Sequence, residues 1–172
     1  MSNEDFDEIV AVHSARLTRM AFLLCRDVSR SQDLVQEAFL RAFRHWRRTG
    51  VPEHPGSYLR RVVVNEYLGW LRRLSSREVV VGDARVDAAV PDGADERAQR
   101  DLVWALIGGL SPRGRSVLVL RYYEQLSDRE IAEIVGCAEG TVRSVAARAL
   151  SVLRRHPMVA DLGSTAVAER EA

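Results

Sequence analysis

The side chains best suited to chemistry in this sequence lie between residues 127 and 151, where serine, threonine and arginine recur at helical spacing. Ser127 and Glu130 match a capping box. In that motif the serine hydroxyl accepts a hydrogen bond from the backbone N–H three residues on, and the glutamate accepts one from the serine N–H. A short apolar-patterned stretch follows and stops at Gly136. The pattern predicts a short helix with a defined start and end.

A second helix is predicted to open at Thr141. A helix-turn-helix needs a small residue where its helices cross, a turn residue that tolerates positive φ four positions later, and an apolar residue six positions beyond that. Ala132, Gly136 and Val142 meet these requirements. An ordinary αα-hairpin also turns at a glycine and is the alternative, but the agreement of all three positions favours the helix-turn-helix.

The outward face of this second helix carries groups that could read a nucleic acid. Arginine can bond the O6 and N7 atoms of guanine together, while serine and threonine can bond phosphates or base edges. A helix that presents such groups fits the major groove of DNA. The residues predicted to point outward are Arg143, Ser144, Ala147, Arg148 and Ser151.

Charge is unevenly distributed along the chain. The net charge is only +1, and all 25 basic residues are arginine. Between Arg41 and Arg77, nine arginines stand against two glutamates, a local charge of +7. Between Glu78 and Asp101, seven acids stand against three arginines, a local charge of −4. A basic block followed by an acidic one indicates a nucleic-acid surface and then a solvated connector.

Catalytic and metal-binding constellations are missing from the pattern. We find no nucleophile–base pair, no phosphate-binding loop and no metal-ligand spacing among the four histidines and two cysteines. Cys25 and Cys137 stand in apolar stretches and are expected to be small buried hydrophobes. We therefore expect a protein that is not an enzyme and that holds no metal and no cofactor.

Composition is that of a globular chain. Of 172 residues, 47% are hydrophobic and 28% charged, enough to bury a core. No stretch approaches the roughly 20 apolar residues of a membrane span, and the acidic start lacks the basic region of a signal peptide. These features predict a cytoplasmic protein with no membrane partner.

Hydrophobic periodicity near 3.6 residues predicts an all-α fold of two small helical domains. A stretch from Val81 that is rich in small and acidic residues interrupts the periodicity. The predicted organisation is a first domain at residues 1–77, a flexible acidic linker at 78–95, a second domain at 96–155 and a disordered tail at 156–172.

Three helices are predicted in the first domain. The first covers 6–24, and the second has apolar positions over 34–46 with Ser29 or Ser31 as its N-cap. Ser57 is expected to cap the third. One face of that third helix brings a set of polar side chains within about 40° of one another. They are Arg61, Asn65 and Arg72.

The second domain is predicted to begin with a helix over 95–107 that ends at a pair of glycines. Ser111 then supplies an N-cap with proline at the first helical position, and this helix is expected to reach about Glu124. The helix-turn-helix completes the domain.

Four segments in order resemble the extracytoplasmic-function sigma factors of the sigma-70 family. The segments are 33–43, 57–65, 110–124, and 126–136 together with 140–144. The ending Trp70-Leu-Arg-Arg is similar to that of an actinobacterial subgroup often called sigma-E-like. The resemblance implies a sigma region 2 helical bundle that binds the clamp helices of core RNA polymerase and melts the −10 element. It also implies a sigma region 4 domain that binds the −35 element of promoter DNA and the β-flap, with an anti-sigma factor as a further candidate partner.

The resemblance also implies roles for particular side chains. Those expected to face the clamp helices are Asp33, Gln36 and Glu37. Those expected to hold the separated −10 strand are Arg47, Arg48, Tyr58, Arg61, Asn65 and Arg72. Those expected to contact the −35 duplex are Ser127, Thr141, Arg143, Ser144 and Arg148. Trp46, Tyr67 and Trp70 offer further aromatics for stacking, although the spacing of Tyr67 and Trp70 suits a core position equally well.

Two alternatives remain at this stage. The acidic trio could be a merely solvated helix face. The whole chain could be a stand-alone helix-turn-helix regulator that dimerises on palindromic DNA, although the basic block and the absence of an obvious dimerisation helix argue against it. Many sigma relatives carry a basic residue where Val145-Ala-Ala147 stands here. The −35 contacts would then rest mainly on Arg143, Ser144 and Arg148.

Overall fold

The computed structural model of the protein describes residues 3–75 and 106–156. Within these ranges every regular element is helical, which confirms the all-α prediction. The elements are α1 (Asn3–Cys25), α2 (Val28–Thr49), α3 (Pro55–Ser75), α4 (Pro112–Leu118), a π-helical segment (Val119–Tyr123), α5 (Asp128–Val135) and α6 (Glu139–Arg154). The predicted linker, most of the predicted helix over 95–107 and nearly all of the predicted tail lie outside the described residues.

Helices α1, α2 and α3 pack on one another to form the first domain. Buried residues recur every three or four positions along α2, the spacing of one helix face. Ala38 and Ala42 are fully buried on that face, and their small side chains let the neighbouring helices approach closely. Trp46 and Tyr67 are the largest fully buried side chains of this core, and truncating an aromatic side chain at such a site costs about 3–5 kcal/mol.

Two helix starts in the first domain differ from the sequence prediction. The N-cap of α2 is Asp27, whose side chain accepts a hydrogen bond from the Arg30 N–H at 2.7 Å, so the serine cap was wrong. Ser31 instead lies inside the helix and donates to the Val28 carbonyl at 2.7 Å. Helix α3 begins at Pro55, before the predicted Ser57 cap, because a proline at the start of a helix has no N–H that needs a partner.

Helix α4 of the second domain starts as predicted and then departs from the pattern. Ser111 caps α4 by accepting from the Gly114 N–H at 3.1 Å, with proline in the first turn. The α-helical hydrogen bonding ends at Leu118, and the next five residues form a π-helical segment. At its end the N–H of the next residue, Glu124, donates to the Val119 carbonyl at 3.1 Å. The extra residue per turn changes the direction in which Glu124 projects.

The two domains are in contact in this structure. Helices α1 and α3 pack against α4, and α3 also packs against α5. A side chain of the second domain, Arg115, donates to the Leu24 carbonyl at the end of α1 at 2.9 Å. None of the described helices is long and apolar enough to cross a lipid bilayer.

Candidate nucleic-acid interface

The capping box that starts α5 is present. The Ser127 hydroxyl accepts from the Glu130 N–H at 3.3 Å, and the Glu130 carboxylate accepts from the Ser127 N–H at 2.9 Å. These hydrogen bonds favour the ionised carboxylate and hold the pKa of Glu130 below its ordinary value. The Ser127 hydroxyl also donates to Glu130, at 2.7 Å, so this serine is engaged in starting the helix.

The turn after α5 has the geometry of a helix-turn-helix. Gly136 has φ +72° and ψ +51°, the left-handed region that glycine adopts without steric cost. Ala132 and Val142 are both buried where α5 and α6 meet, as predicted. Helix α6 begins at Glu139, two residues before the predicted Thr141.

The predicted outward face of α6 is exposed at all five positions: Arg143, Ser144, Ala147, Arg148 and Ser151. Ser144 donates to the Thr141 carbonyl at 3.0 Å, and the Arg148 Nε donates to the Ser144 carbonyl at 3.2 Å. These bonds hold both side chains along the helix. Thr141 itself is half-buried, so it offers less of its surface to a ligand.

The predicted −10 residues lie on α2 and α3. Five of the six are exposed: Arg47, Arg48, Arg61, Asn65 and Arg72. The sixth, Tyr58, is half-buried and stacks on His45, with ring centroids 5.5 Å apart and planes 4° from parallel. His45 is exposed and was not singled out from the sequence, because its partner lies on another helix.

The other candidate aromatics are less accessible. Trp46 is 1% exposed and Tyr67 is 2% exposed, so both belong to the core, and the suggestion that Trp46 is available for stacking was wrong. Burial raises the pKa of the Tyr67 hydroxyl, and the nearby Arg115 guanidinium opposes part of that rise. Trp70 is half-buried under Arg30, whose guanidinium carbon lies 4.7 Å from the ring centroid. The stacked pair of His45 and Tyr58 is therefore the best aromatic surface near the predicted −10 residues.

The acidic trio predicted to face polymerase lies on α2. Asp33 and Gln36 are exposed, and Glu37 is half-buried. Glu37 accepts from Arg41 at 2.7 Å, and this bond raises the pKa of the arginine. Arg41 also pairs with Glu66 of α3 at 2.9 Å.

An apolar groove borders this trio, between α1 and α2. Its volume is about 450 Å³, and Leu40 on its edge is 45% exposed. The residues that line it are Phe6, Asp7, Val10, Gln36, Phe39, Leu40 and Phe43. The groove was missed in the sequence because it combines side chains from two helices.

The fold and these surfaces define a two-domain DNA-binding protein of the helix-turn-helix class. Comparison with known proteins identifies the family within this class. The family profile described as Sigma-70 region 2 matches residues 9–77, and the profile described as Sigma-70, region 4 matches residues 106–155.

Several relatives match over most of their length. The RNA polymerase sigma-E factor of Streptomyces avermitilis is 36% identical over 167 residues, which cover 97% of this chain and 92% of the relative. The ECF RNA polymerase sigma factor SigL of Mycobacterium tuberculosis is 32% identical over 146 residues, covering 83% of this chain and 82% of the relative.

A solved structure shares the fold. It is the sigma factor RpoE of Bartonella quintana in complex with the anti-sigma factor NepR, with a TM-score of 0.69 and 24% identity over 88% of this chain and 95% of that one. The chain belongs to the sigma-70 family of RNA polymerase sigma factors, in its extracytoplasmic-function group. These comparisons support the sigma-factor interpretation and not the stand-alone regulator.

Proposed function

We propose that this sigma factor binds core RNA polymerase and directs promoter-specific initiation by contacting the −35 and −10 elements with its two domains. The observation that carries the proposal is α6, which presents Arg143 and Arg148 on the exposed face of a helix-turn-helix. Melting by capture of unpaired bases requires no catalytic residue, metal or cofactor. The protein would act in the cytoplasm, where it meets polymerase and promoter DNA.

At the −35 element, α6 would enter the major groove. The guanidinium groups of Arg143 and Arg148 are the candidates for bidentate bonds to guanine, each worth about 1–3 kcal/mol of discrimination against the wrong base. Ser144 and Thr141 would contact phosphate or base edges near the start of the helix. Ser127 would act chiefly through the capping box, which orients α5 against the DNA backbone.

At the −10 element, α3 and the end of α2 would hold a separated strand. Arg47, Arg48, Arg61 and Arg72 supply positive charge, and Asn65 supplies an amide that can bond a base edge. The stacked rings of His45 and Tyr58 offer a platform, and stacking of a base on such a ring contributes about 1–3 kcal/mol.

Polymerase would dock on α2. Asp33, Gln36 and Glu37 would face basic clamp helices, and the apolar groove beside them would bury side chains of the same partner. An anti-sigma factor that covered this face would exclude polymerase. The solved complex of RpoE with NepR makes such a partner a reasonable candidate for this chain.

Reconstituted transcription tests the proposal. Purified protein with core RNA polymerase and fragmented genomic DNA should start transcripts at sites that share two sequence elements, and core polymerase alone should not. The start sites can be mapped by sequencing RNA 5′ ends. Core binding without specific initiation would contradict the proposal.

A further inference from the structure

A buried carboxylate lies where the two domains meet. The side chain of Glu124, at the end of the π-helical segment, is 0% exposed. The Nε of Arg16 lies 3.2 Å from its Oε1 and 3.1 Å from its Oε2, and Nη1 of Arg60 lies 3.4 Å from Oε2. Arg16 is on α1 and Arg60 is on α3, so both guanidinium groups belong to the other domain.

This arrangement couples the burial of a charge to domain closure. An ionised carboxylate can stay out of water only when it is paired and hydrogen-bonded. Glu124 meets that condition through Arg16 and Arg60, and only while the domains are together. When they separate, water can solvate all three groups, so separation leaves no charge buried without a partner.

Two further arginines make polar contacts at the junction. Arg115 of the second domain donates to the Leu24 carbonyl at 2.9 Å and to the Ile107 carbonyl at 3.0 Å, which links the end of α1 to the chain before α4. Arg26 packs on Gly108 so closely that a Cβ at that glycine would lie 2.5 Å from its Nη1. Buried apolar side chains of the two domains belong to one continuous cluster, so apolar packing adds to these polar contacts in the closed arrangement.

The closed arrangement is too short to contact both promoter elements. Their centres are about 25 base pairs apart by position, or ~85 Å along B-DNA at 3.4 Å per base pair. Helix α3 is only ~31 Å long, at 1.5 Å per residue, and it packs directly against α5. Arg61 and Arg143 are nevertheless exposed, so each domain can still contact its own element.

We propose that Glu124, Arg16 and Arg60 form a latch that holds the free protein closed, limiting it to one promoter element at a time until core polymerase opens it. The closed arrangement follows from the contacts between the two domains. Its regulatory meaning rests on the proposed sigma function.

Small-angle X-ray scattering of the full-length protein tests the closure. Arg16→Glu places two carboxylates together and should expand the protein, raising the radius of gyration by roughly a fifth or more relative to wild type. The Arg16 side chain is 55% exposed, so the first domain should tolerate the change, and circular dichroism checks that the helices remain. Arg19→Glu, a matched change at an exposed position on the same helix, should leave the scattering unchanged.

Glu124→Gln is a second variant that keeps the side-chain shape and removes the charge. It should expand the protein less than Arg16→Glu, because the amide oxygen still accepts from an arginine. If wild type is already as extended as Arg16→Glu, or if neither variant expands, the latch is wrong.

Core polymerase binding tests the regulatory meaning. If one molecule in ten is open, an opening variant gains up to about 10-fold in apparent affinity, because affinity scales with the fraction that is competent to bind. We expect Arg16→Glu to bind core several-fold more tightly than wild type or Arg19→Glu. Expansion without tighter binding would overturn the inhibitory role. Absence of core binding in wild type and in every variant would contradict the proposed sigma function. The scattering experiment would still decide whether the free protein is closed.

Discussion

The second domain presents a small basic face, with Arg143 and Arg148 on one helix, whereas the first domain spreads a larger set over two helices. That larger set is Arg47, Arg48, Arg61 and Arg72. A few guanidinium groups on a well-oriented helix suit base reading, because bidentate bonds need defined geometry. Charges spread over a surface suit phosphates, whose attraction depends on number and on salt more than on orientation.

The two regions also depend on different structural supports. The orientation of α6 depends on a backbone conformation at Gly136 and a capping box at Ser127. The α2–α3 surface depends on a core that includes Trp46 and Tyr67. A small change in the turn should therefore displace the exposed face of α6. The α2–α3 surface should be disturbed mainly by substitutions that remove volume from its core.

The largest expected effect concerns the acidic face of α2. Asp33→Arg with Glu37→Arg should weaken core polymerase binding by more than ~100-fold, because like charges then meet across the interface. The exposed α5 residue Glu133 provides the control, since Glu133→Arg should change core affinity little. Fluorescence titration measures both. Retained affinity in the double variant would place the polymerase surface elsewhere.

The comparison of the two basic surfaces can be tested directly with DNA. Arg143→Ala and Arg148→Ala should each weaken binding of the −35 duplex by roughly 5- to 150-fold, with most of the loss tied to particular base pairs. Arg47→Ala and Arg48→Ala should weaken −10 strand binding for all sequences and lower the salt slope by about one each. Holoenzyme binding measured across salt concentrations distinguishes these outcomes. If both pairs of variants lose affinity with the same dependence on DNA sequence, the two surfaces do not differ in how they recognise DNA.

The turn of the helix-turn-helix predicts a smaller effect on stability. Gly136→Ala should destabilise the second domain by about 1–2 kcal/mol, because a residue with a Cβ is strained at φ +72°. Gly140→Ala is the matched control. Gly140 lies in the first turn of α6, and a Cβ added there would meet no other atom within 4 Å, so alanine should be neutral or stabilise by up to about 1 kcal/mol. Thermal unfolding of both variants decides, and equal melting temperatures would argue against strain at Gly136.

The smallest expected effect is a dependence of stability on pH. Burial, Arg60 and Arg16 hold the pKa of His13 below its ordinary value of 6.5. As the pH falls below about 6.5, the unfolded chain binds a proton that the folded protein still excludes, so stability falls until the lowered pKa is reached. His13→Gln should reduce this loss. Urea unfolding midpoints at pH 7.5 and pH 5.5 measure this loss of stability. If His13→Gln loses as much stability as wild type, other groups cause the loss.

Much of the local structure could be predicted because it depends on residues a few positions apart. The capping box at Ser127, the Ser111 cap, the turn at Gly136 and the exposed face of α6 all follow from short-range hydrogen bonds and helical periodicity. The predicted N-cap of α2 was wrong because three polar residues near one another can each cap a helix. Packing placed Ser31 inside the helix, where it is buried.

The junction and the first-domain surfaces needed the tertiary structure. Nothing in the local pattern pairs Glu124 with Arg16 across 108 positions, and the stack of His45 on Tyr58 joins two helices. The sequence alone determined the helical class, the helix-turn-helix and the candidate reading residues, because those depend on spacing along one helix. The tertiary structure decided which aromatics are buried, where the groove lies and which charges meet, because burial and ion pairing depend on distances between elements far apart in the chain.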